Sequence, residues 1–175
     1  MKTDLADTHN FDLIMAGLQV GAREALSAEH VESLRGLWQE VGQVTGQQFS
    51  GIIPPDFVYH SEVACRAVEI ARDLTGEPPW EFFFRLQSAF YRDGLNISSP
   101  RVLAGLLGLP EADVRGRLQD LRYVNAARAG FALANTLSAN ALPGVYIDSG
   151  EGYSLVTGGY VTAEFLVPEL RARYR

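Results

Sequence analysis

The chain has 175 residues, of which 47% are hydrophobic and 21% charged, and its formal net charge at pH 7 is −6. The length fits one domain with an inserted subdomain, and the apolar fraction is sufficient for a buried core. The acidic balance disfavours non-specific binding to nucleic acids or anionic membranes, since both need clustered Lys and Arg.

Several other classes are excluded by what the sequence lacks. No run approaches the roughly 18 apolar residues of a membrane-spanning helix, and MKTDLADTHN (1–10) has no apolar signal core, which predicts a cytoplasmic protein. The single cysteine, Cys65, excludes an intrachain disulfide, a CxxC pair and a cysteine-based zinc site, and is expected to be a packing residue. The histidines have no ligand-like spacing and no phosphate loop is present, so no metal and no cofactor is predicted.

The first predicted elements are a strand and a helix. Phe11–Ala16 is an apolar run that predicts a buried strand. Ser27 predicts the N-cap of a helix from Ala28 to about Val44. The apolar face of this helix is expected to contain Val31, Leu34, Trp38 and Val41.

A block of helices follows. Ser61 and Gly76 predict the two ends of the next helix, whose acidic residues are expected on a solvated face: Glu62, Glu69 and Asp73. WEFFFRLQSAFYRDG (80–94) carries aromatics at helical spacing, and Ser99 with Pro100 is typical of a helix start. Pro110 begins a long helical stretch. Its internal glycines leave undecided whether it forms one continuous helix or is interrupted.

The pattern changes to β-structure near the C-terminus. GVYID (144–148) and YSLVT (153–157) are short and rich in β-branched or aromatic residues, with turn residues between them. They predict an antiparallel hairpin. Thr162 is expected to cap a last helix, which contains Pro168 near its middle. The element order indicates an α+β fold, with a small sheet and a large helical insertion.

One segment has the order of elements found in a helix-turn-helix DNA-binding motif. VLAGLLGLPEADVRGRLQDL (102–121) reads as helix, turn and helix, with Arg115 and Arg117 on the second helix. A recognition helix presents polar and basic side chains at its N-terminal end, whereas this one starts with Glu111 and Asp113. We expect an ordinary helical pair and no nucleic-acid partner, with a DNA reader as the alternative.

Three stretches resemble a known family. FRLQSAFYRDGLNISSPRVLAGLLGL (84–109) resembles the helical insertion of the DsbA-type thioredoxin superfamily, in the branch of FrnE-like proteins and kappa-class glutathione transferases. YHSEVACRAVEIAR (59–72) resembles another helix of that insertion, and TGGYVTAEFL (157–166) the start of the last helix.

The resemblance implies a domain organisation. It implies an incomplete thioredoxin-like sheet with a large, DsbA-like helical insertion. Residues 1–26 and 126–175 would form the thioredoxin-like part, and residues 27–125 the inserted helical subdomain.

The same resemblance implies a substrate site at ALPGVYI (141–147). Thioredoxin-like folds carry a cis-proline before a strand at this place, which would make Leu142, Pro143 and Gly144 the substrate-binding residues. A cis X–Pro bond turns the backbone sharply and leaves the flanking N–H and C=O groups pointing outward, where an extended peptide pairs with them. The alternative from the residues alone is a trans proline that ends a helix and starts a strand.

The family's catalytic unit has no counterpart here. Family members begin with a central strand and a CxxC motif at the start of a long helix, where the helix dipole lowers the thiol pKa. In this chain Phe11–Ala16 resembles the second strand, and no cysteine precedes it. We therefore expect no catalytic residue, in a redox-inactive pseudoenzyme or a truncated form of a thiol–disulfide oxidoreductase.

The missing strand leaves several functions and partners open. Its absence would open two sheet edges, which residues 1–10, a partner chain or a second copy in a homodimer would close. The alternative function is a non-catalytic module that binds an extended peptide or protein at the proline loop. A relative of the glutathione-dependent transferases and isomerases is a further alternative, although their helix N-terminal serine also belongs to the absent unit.

Overall fold

The computed structural model describes residues 2–5, 7–55, 57–139 and 141–173, which form helices and one β-hairpin. In chain order the elements are α1 (Lys2–Leu5), α2 (Ala28–Thr45), α3 (Glu62–Thr75), α4 (Trp80–Tyr91), α5 (Pro100–Leu107), α6 (Glu111–Gln119), α7 (Leu121–Thr136), β1 (Gly144–Asp148), β2 (Tyr153–Gly158) and α8 (Ala163–Arg173). The predicted helices, hairpin and α+β class are confirmed. Within the described ranges, no helix has the length and apolarity needed to span a membrane.

The chain divides into two compact units. Met1–Ile14 and Ala132–Arg175 form the first unit, which contains the hairpin and α8. Met15–Phe131 forms the second unit, which is entirely helical in its regular structure. The second unit spans the predicted insertion, residues 27–125, and also residues 15–26 and 126–131, which were predicted to belong to the thioredoxin-like part.

Helix ends lie where local sequence signals predict them, although not every predicted cap forms its side-chain hydrogen bond. Ser27 begins α2 as predicted, and its Oγ accepts a hydrogen bond from the backbone N–H of His30 at 3.3 Å. Gly76 ends α3 in the left-handed conformation, with a φ of 70°. Ser61 is the N-cap residue of α3 as predicted, but its side chain forms no capping hydrogen bond. Its Oγ accepts the backbone N–H of Leu18 at 2.8 Å, and so ties the start of α3 to a distant loop instead.

The long stretch after Pro110 is two helices that meet at Asp120. This residue has extended backbone angles, and its Oδ1 accepts the backbone N–H of Arg122 at 2.8 Å, which is N-cap geometry for α7. Gly130 lies inside α7, where a Cβ would stand 2.9 Å from the backbone oxygen of Met15. That glycine therefore permits close packing and does not break the helix.

The strand predicted over Phe11–Ala16 is wrong, because residues 9–17 have no regular secondary structure. Burial does alternate along the segment, with Leu13 and Met15 inside and Asp12 and Ile14 outside. A strand also requires a ladder, and the sheet assigned in the described part of the chain contains only β1 and β2. The apolar alternation is real, whereas the pairing that the prediction assumed is absent there.

Aromatic side chains form the core of the second unit around Trp38. The Trp38 ring centroid lies 5.5 Å from that of Phe90 and 5.4 Å from that of Tyr91, both edge-to-face, which is a favoured aromatic geometry. Phe57 completes the buried cluster with Trp38 and Phe90. Burial raises the pKa of Tyr91 to about 12, so its hydroxyl stays protonated at neutral pH.

The core of the first unit lies on one face of the hairpin. Leu5, Leu166 and Leu170 form a buried cluster that joins α1 to α8. Val145 and Ile147 of β1 pack against this cluster, as does Val156 of β2. Apolar burial on this face therefore fixes the position of β1.

A polar network joins three helices of the second unit at Asp73. Its carboxylate accepts a hydrogen bond from the hydroxyl of the buried Tyr123 at 2.7 Å and forms an ion pair with Arg122. Arg117 donates to the same hydroxyl at 2.7 Å. Asp73 is exposed, as expected for a solvated face, although its partners lie on α6 and α7. Glu62 contradicts that expectation, because it is buried next to Arg66 of the same helix.

We expect Asp73→Ala to lower the free energy of unfolding by about 2 kcal/mol, since it leaves the buried Tyr123 hydroxyl without an acceptor. Tyr123→Phe should cost about 1 kcal/mol, because Asp73 keeps its ion pair with Arg122. Urea unfolding followed by circular dichroism measures both. Asp113→Ala, at an exposed position of α6, is the control and should cost less than about 1 kcal/mol. Equal losses for Asp73 and Asp113 would contradict a structural role for the network.

Candidate functional site

The candidate site is built on the register of the hairpin. Gly144 stands opposite Gly158, and Ile147 stands opposite Ser154, with an irregularity between Val145 and Tyr146 that shifts the register. A bulge of this kind strengthens the local twist and redirects side chains. The two glycines therefore form a cross-strand pair at the end of the hairpin where the proline loop enters.

The backbone of β1 has a paired edge and an outer edge. The Pro143 carbonyl accepts the N–H of Gly159 at 2.9 Å, so its backbone group points toward β2. Backbone groups alternate in direction along an antiparallel strand, which turns those of Gly144 and Tyr146 away from β2. Outside the hairpin, no described residue hydrogen-bonds to the backbone of Gly144 or Tyr146. We call this side of the strand the outer edge of β1.

The three predicted site residues lie at the start of the outer edge. The Leu142–Pro143 peptide bond is cis, Leu142 is 54% exposed and Pro143 is exposed as well. Gly144 is half-buried and begins β1. The arrangement therefore presents an apolar side chain next to outward-facing backbone groups, a combination suited to an extended peptide.

The pair Gly144 and Gly158 permits close approach of the proline loop, because neither residue has a Cβ atom. A Cβ on Gly144 would lie 2.9 Å from the Tyr146 ring and 3.6 Å from the backbone oxygen of Ala141, and one on Gly158 would lie 3.4 Å from the Ala141 Cβ. The Tyr146 hydroxyl donates to the backbone oxygen of Leu137 at 3.3 Å. Tyr146 and Gly158 were missed from the sequence, although the glycine pair 158–159 was a signal for close backbone approach.

The one thiol of the chain lies elsewhere. Cys65 is buried in α3, and burial raises the pKa of its thiol to about 11, against a smaller opposite effect of a hydrogen bond with Ser61. At neutral pH the group is a neutral thiol, which is a poor nucleophile. The expectation of a packing residue is confirmed.

Metal ligands and free basic groups are scarce. Across the described ranges, no three His, Cys, Asp or Glu side chains come together in a way that could hold a metal ion. In the segment that resembles a helix-turn-helix, Arg115 forms an ion pair with Glu111 at 2.6 Å, and Arg117 donates a hydrogen bond to the Tyr123 hydroxyl. Both guanidinium groups are thus engaged within the protein itself.

Comparison with known proteins identifies the fold. No protein-family model and no curated protein matches the chain. A crystal structure from Nitrosomonas europaea, described as "a putative protein disulfide isomerase", is similar to it with a TM-score of 0.86 and 24% identity, over 99% of this chain and 87% of that one. The likeness shows a DsbA-like thioredoxin fold with a helical insertion, in agreement with the resemblance found in the sequence.

Gly144→Ala should lower the free energy of unfolding by about 1–2 kcal/mol, because the added methyl group forces the Tyr146 ring and the loop apart. Thermal unfolding measures the change. Gly116→Ala is the matched control, since nothing lies within 4 Å of its added Cβ inside α6, and it should stabilise the protein by about 0.5–1 kcal/mol. A stabilised Gly144→Ala variant would show that the loop is not seated on the glycine pair.

Cys65 should react slowly with Ellman's reagent in the folded protein. A pKa raised from 9.0 to about 11 lowers the thiolate fraction at pH 8 by about 100-fold, and burial slows access further. The rate should reach that of a free thiol in denaturant, which serves as the internal control. Rapid labelling of the folded chain at pH 8 would contradict the inert environment of this thiol.

Proposed function

We propose that the chain binds an extended polypeptide segment as an added strand along the outer edge of β1, with Leu142, Pro143 and Gly144 at the start of the site. The observation that carries the proposal is the set of outward backbone groups on Gly144 and Tyr146 beside an exposed loop. Unpaired strand edges are templates for an incoming strand, because every added backbone group finds a partner.

The faces of the hairpin restrict what such a segment contains. Val145 and Ile147 lie in the apolar layer with Leu166 and Leu170, so one face of an added strand would extend this layer. On the opposite face it would lie beside Tyr146. Strands with apolar neighbours on both faces are rich in Val, Ile and Tyr, and have few charges. The favoured client is therefore a short apolar segment of an unfolded or extended protein.

The proposal assigns no thiol chemistry to the chain itself. The shared fold supports thiol–disulfide oxidoreductase ancestry, and the buried, protonated Cys65 is unsuited to attack a disulfide. We therefore propose a client-binding protein of this ancestry that holds a polypeptide without exchanging its disulfides.

A second candidate is structural completion of the sheet. A two-stranded sheet is marginal alone, and β1 is half-buried with apolar residues on both faces. A strand from a partner chain, or from a second copy, would then occupy the outer edge permanently. Permanent occupation predicts a bound segment that does not exchange with added peptide, whereas client binding predicts reversible exchange.

The test uses a fluorescein-labelled, cysteine-free peptide, KTVYIVTK, titrated with the protein and followed by fluorescence anisotropy. We expect saturable binding that Leu142→Asp weakens by about tenfold, because the substitution places a charge beside the apolar client. Leu74→Asp, at an exposed leucine of α3, is the matched control and should leave the affinity unchanged.

Two N-methylated versions of the peptide test strand addition directly. Methyl groups on alternate residues remove the N–H donors of one peptide edge only, so one register should lose binding and the other should keep it. Equal binding of both versions would contradict strand addition, and absence of saturable binding would contradict client binding.

A further inference from the structure

Helix α2 has an apolar stripe that its own unit does not cover. Leu37, Val41 and Val44 follow each other at helical spacing, and are 52%, 37% and 71% exposed. Trp38 is the buried residue of this helix and faces the aromatic core. The stripe therefore lies beside the core-facing side of α2 and adds a second apolar surface to it. We call these three residues the outer stripe.

The charge beside the outer stripe is negative. Glu40 adjoins Val41 in the helix and is exposed. Arg35 is held within the chain, since it pairs with Glu32 and donates to the backbone oxygen of Gly51. Two outer stripes packed against each other would bring like charges together, which disfavours pairing of α2 with its own copy.

A groove of about 320 Å³ lies elsewhere in the same unit, between α4 and α5. Its apolar lining consists of Phe84, Leu95 and Leu106, and Phe84 is 58% exposed. Arg85 and Arg92 line it as well. We call this feature the α4–α5 groove. Its lining, apolar side chains next to arginines, suits the apolar anchors and acidic flank of an amphipathic helix, a common mode of helix recognition.

The charge of the α4–α5 groove is positive in a protein whose net charge is −6. Arg92 forms a two-bond ion pair with Asp93, at 2.7 and 3.0 Å, which neutralises both groups. Arg85 is exposed and has no ion pair with any described residue. One uncompensated cation therefore remains beside the exposed Phe84 ring.

We propose that the outer stripe of α2 docks into the α4–α5 groove of a second copy of the chain, with Glu40 next to Arg85 of the other copy. The two surfaces are both apolar and carry charges of opposite sign, and one unit contains both. Contact between two different surfaces closes as a dimer when each copy places its stripe in the groove of the other, and this two-fold arrangement is the one proposed. Neither surface contains a residue of the client site on β1.

Sedimentation equilibrium over a range of protein concentrations tests the proposal. We expect a reversible dimer whose dissociation constant rises by at least about tenfold in Val44→Glu and in Phe84→Ser, since each removes an anchor from one side of both contacts. Leu121→Glu is the control: this leucine is 72% exposed at the start of α7, outside both surfaces, and its variant should dimerise like the wild type.

Charge reversal tests the dimer a second time, at exposed positions where the substitutions should leave folding unchanged. Glu40→Arg and Arg85→Glu should each weaken the dimer, and the double variant should regain most of the lost affinity because the pair is restored in the opposite sense. A chain that stays monomeric at all concentrations overturns the proposal. So does a dimer that none of these variants weakens, or one that Leu121→Glu weakens equally.

Discussion

A strand carries hydrogen-bonding groups along both edges, and β1 is paired along one edge only within the described part of the chain. Two strands alone make a marginal sheet, so the hairpin depends on the apolar layer that Val145 and Ile147 form with Leu166 and Leu170. That layer holds β1 in place whatever occupies its outer edge. A strand fixed in this way offers its backbone without rearrangement, which lowers the entropy cost of binding.

The loop before β1 depends on the same strand. Ala141 rests on the pair Gly144 and Gly158, and the Tyr146 hydroxyl ties the preceding turn to the hairpin. The resemblance was sufficient to predict the cis peptide bond between Leu142 and Pro143. It could not supply Tyr146 or Gly158, because their role arises from the register and bulge between two strands, and register is a property of the pair. Residues that support a loop are therefore harder to predict than residues within it.

Local sequence signals were sufficient to predict most of the helices and the hairpin. The N-cap Ser27 of α2 and the C-terminal Gly76 of α3 are examples. The predictions that failed depend on distant contacts. Phe11–Ala16 has the alternation of a strand, but a local pattern does not specify the neighbour that a ladder requires. Glu62 was expected on a solvated face but is buried, and one of the two guanidinium groups next to its carboxylate belongs to Arg128 on the distant helix α7.

Strand addition and disulfide exchange make different physical demands on a protein. Exchange needs a thiolate, and a thiolate needs positive charge or a helix N-terminus with access to solvent, whereas the apolar surroundings of Cys65 hold its thiol protonated. Strand addition needs only a rigid edge with outward backbone groups, which Gly144 and Tyr146 provide without any ionisable side chain. The two functions are therefore separable, and under the proposed function a change in the client's disulfides would require a thiol other than Cys65.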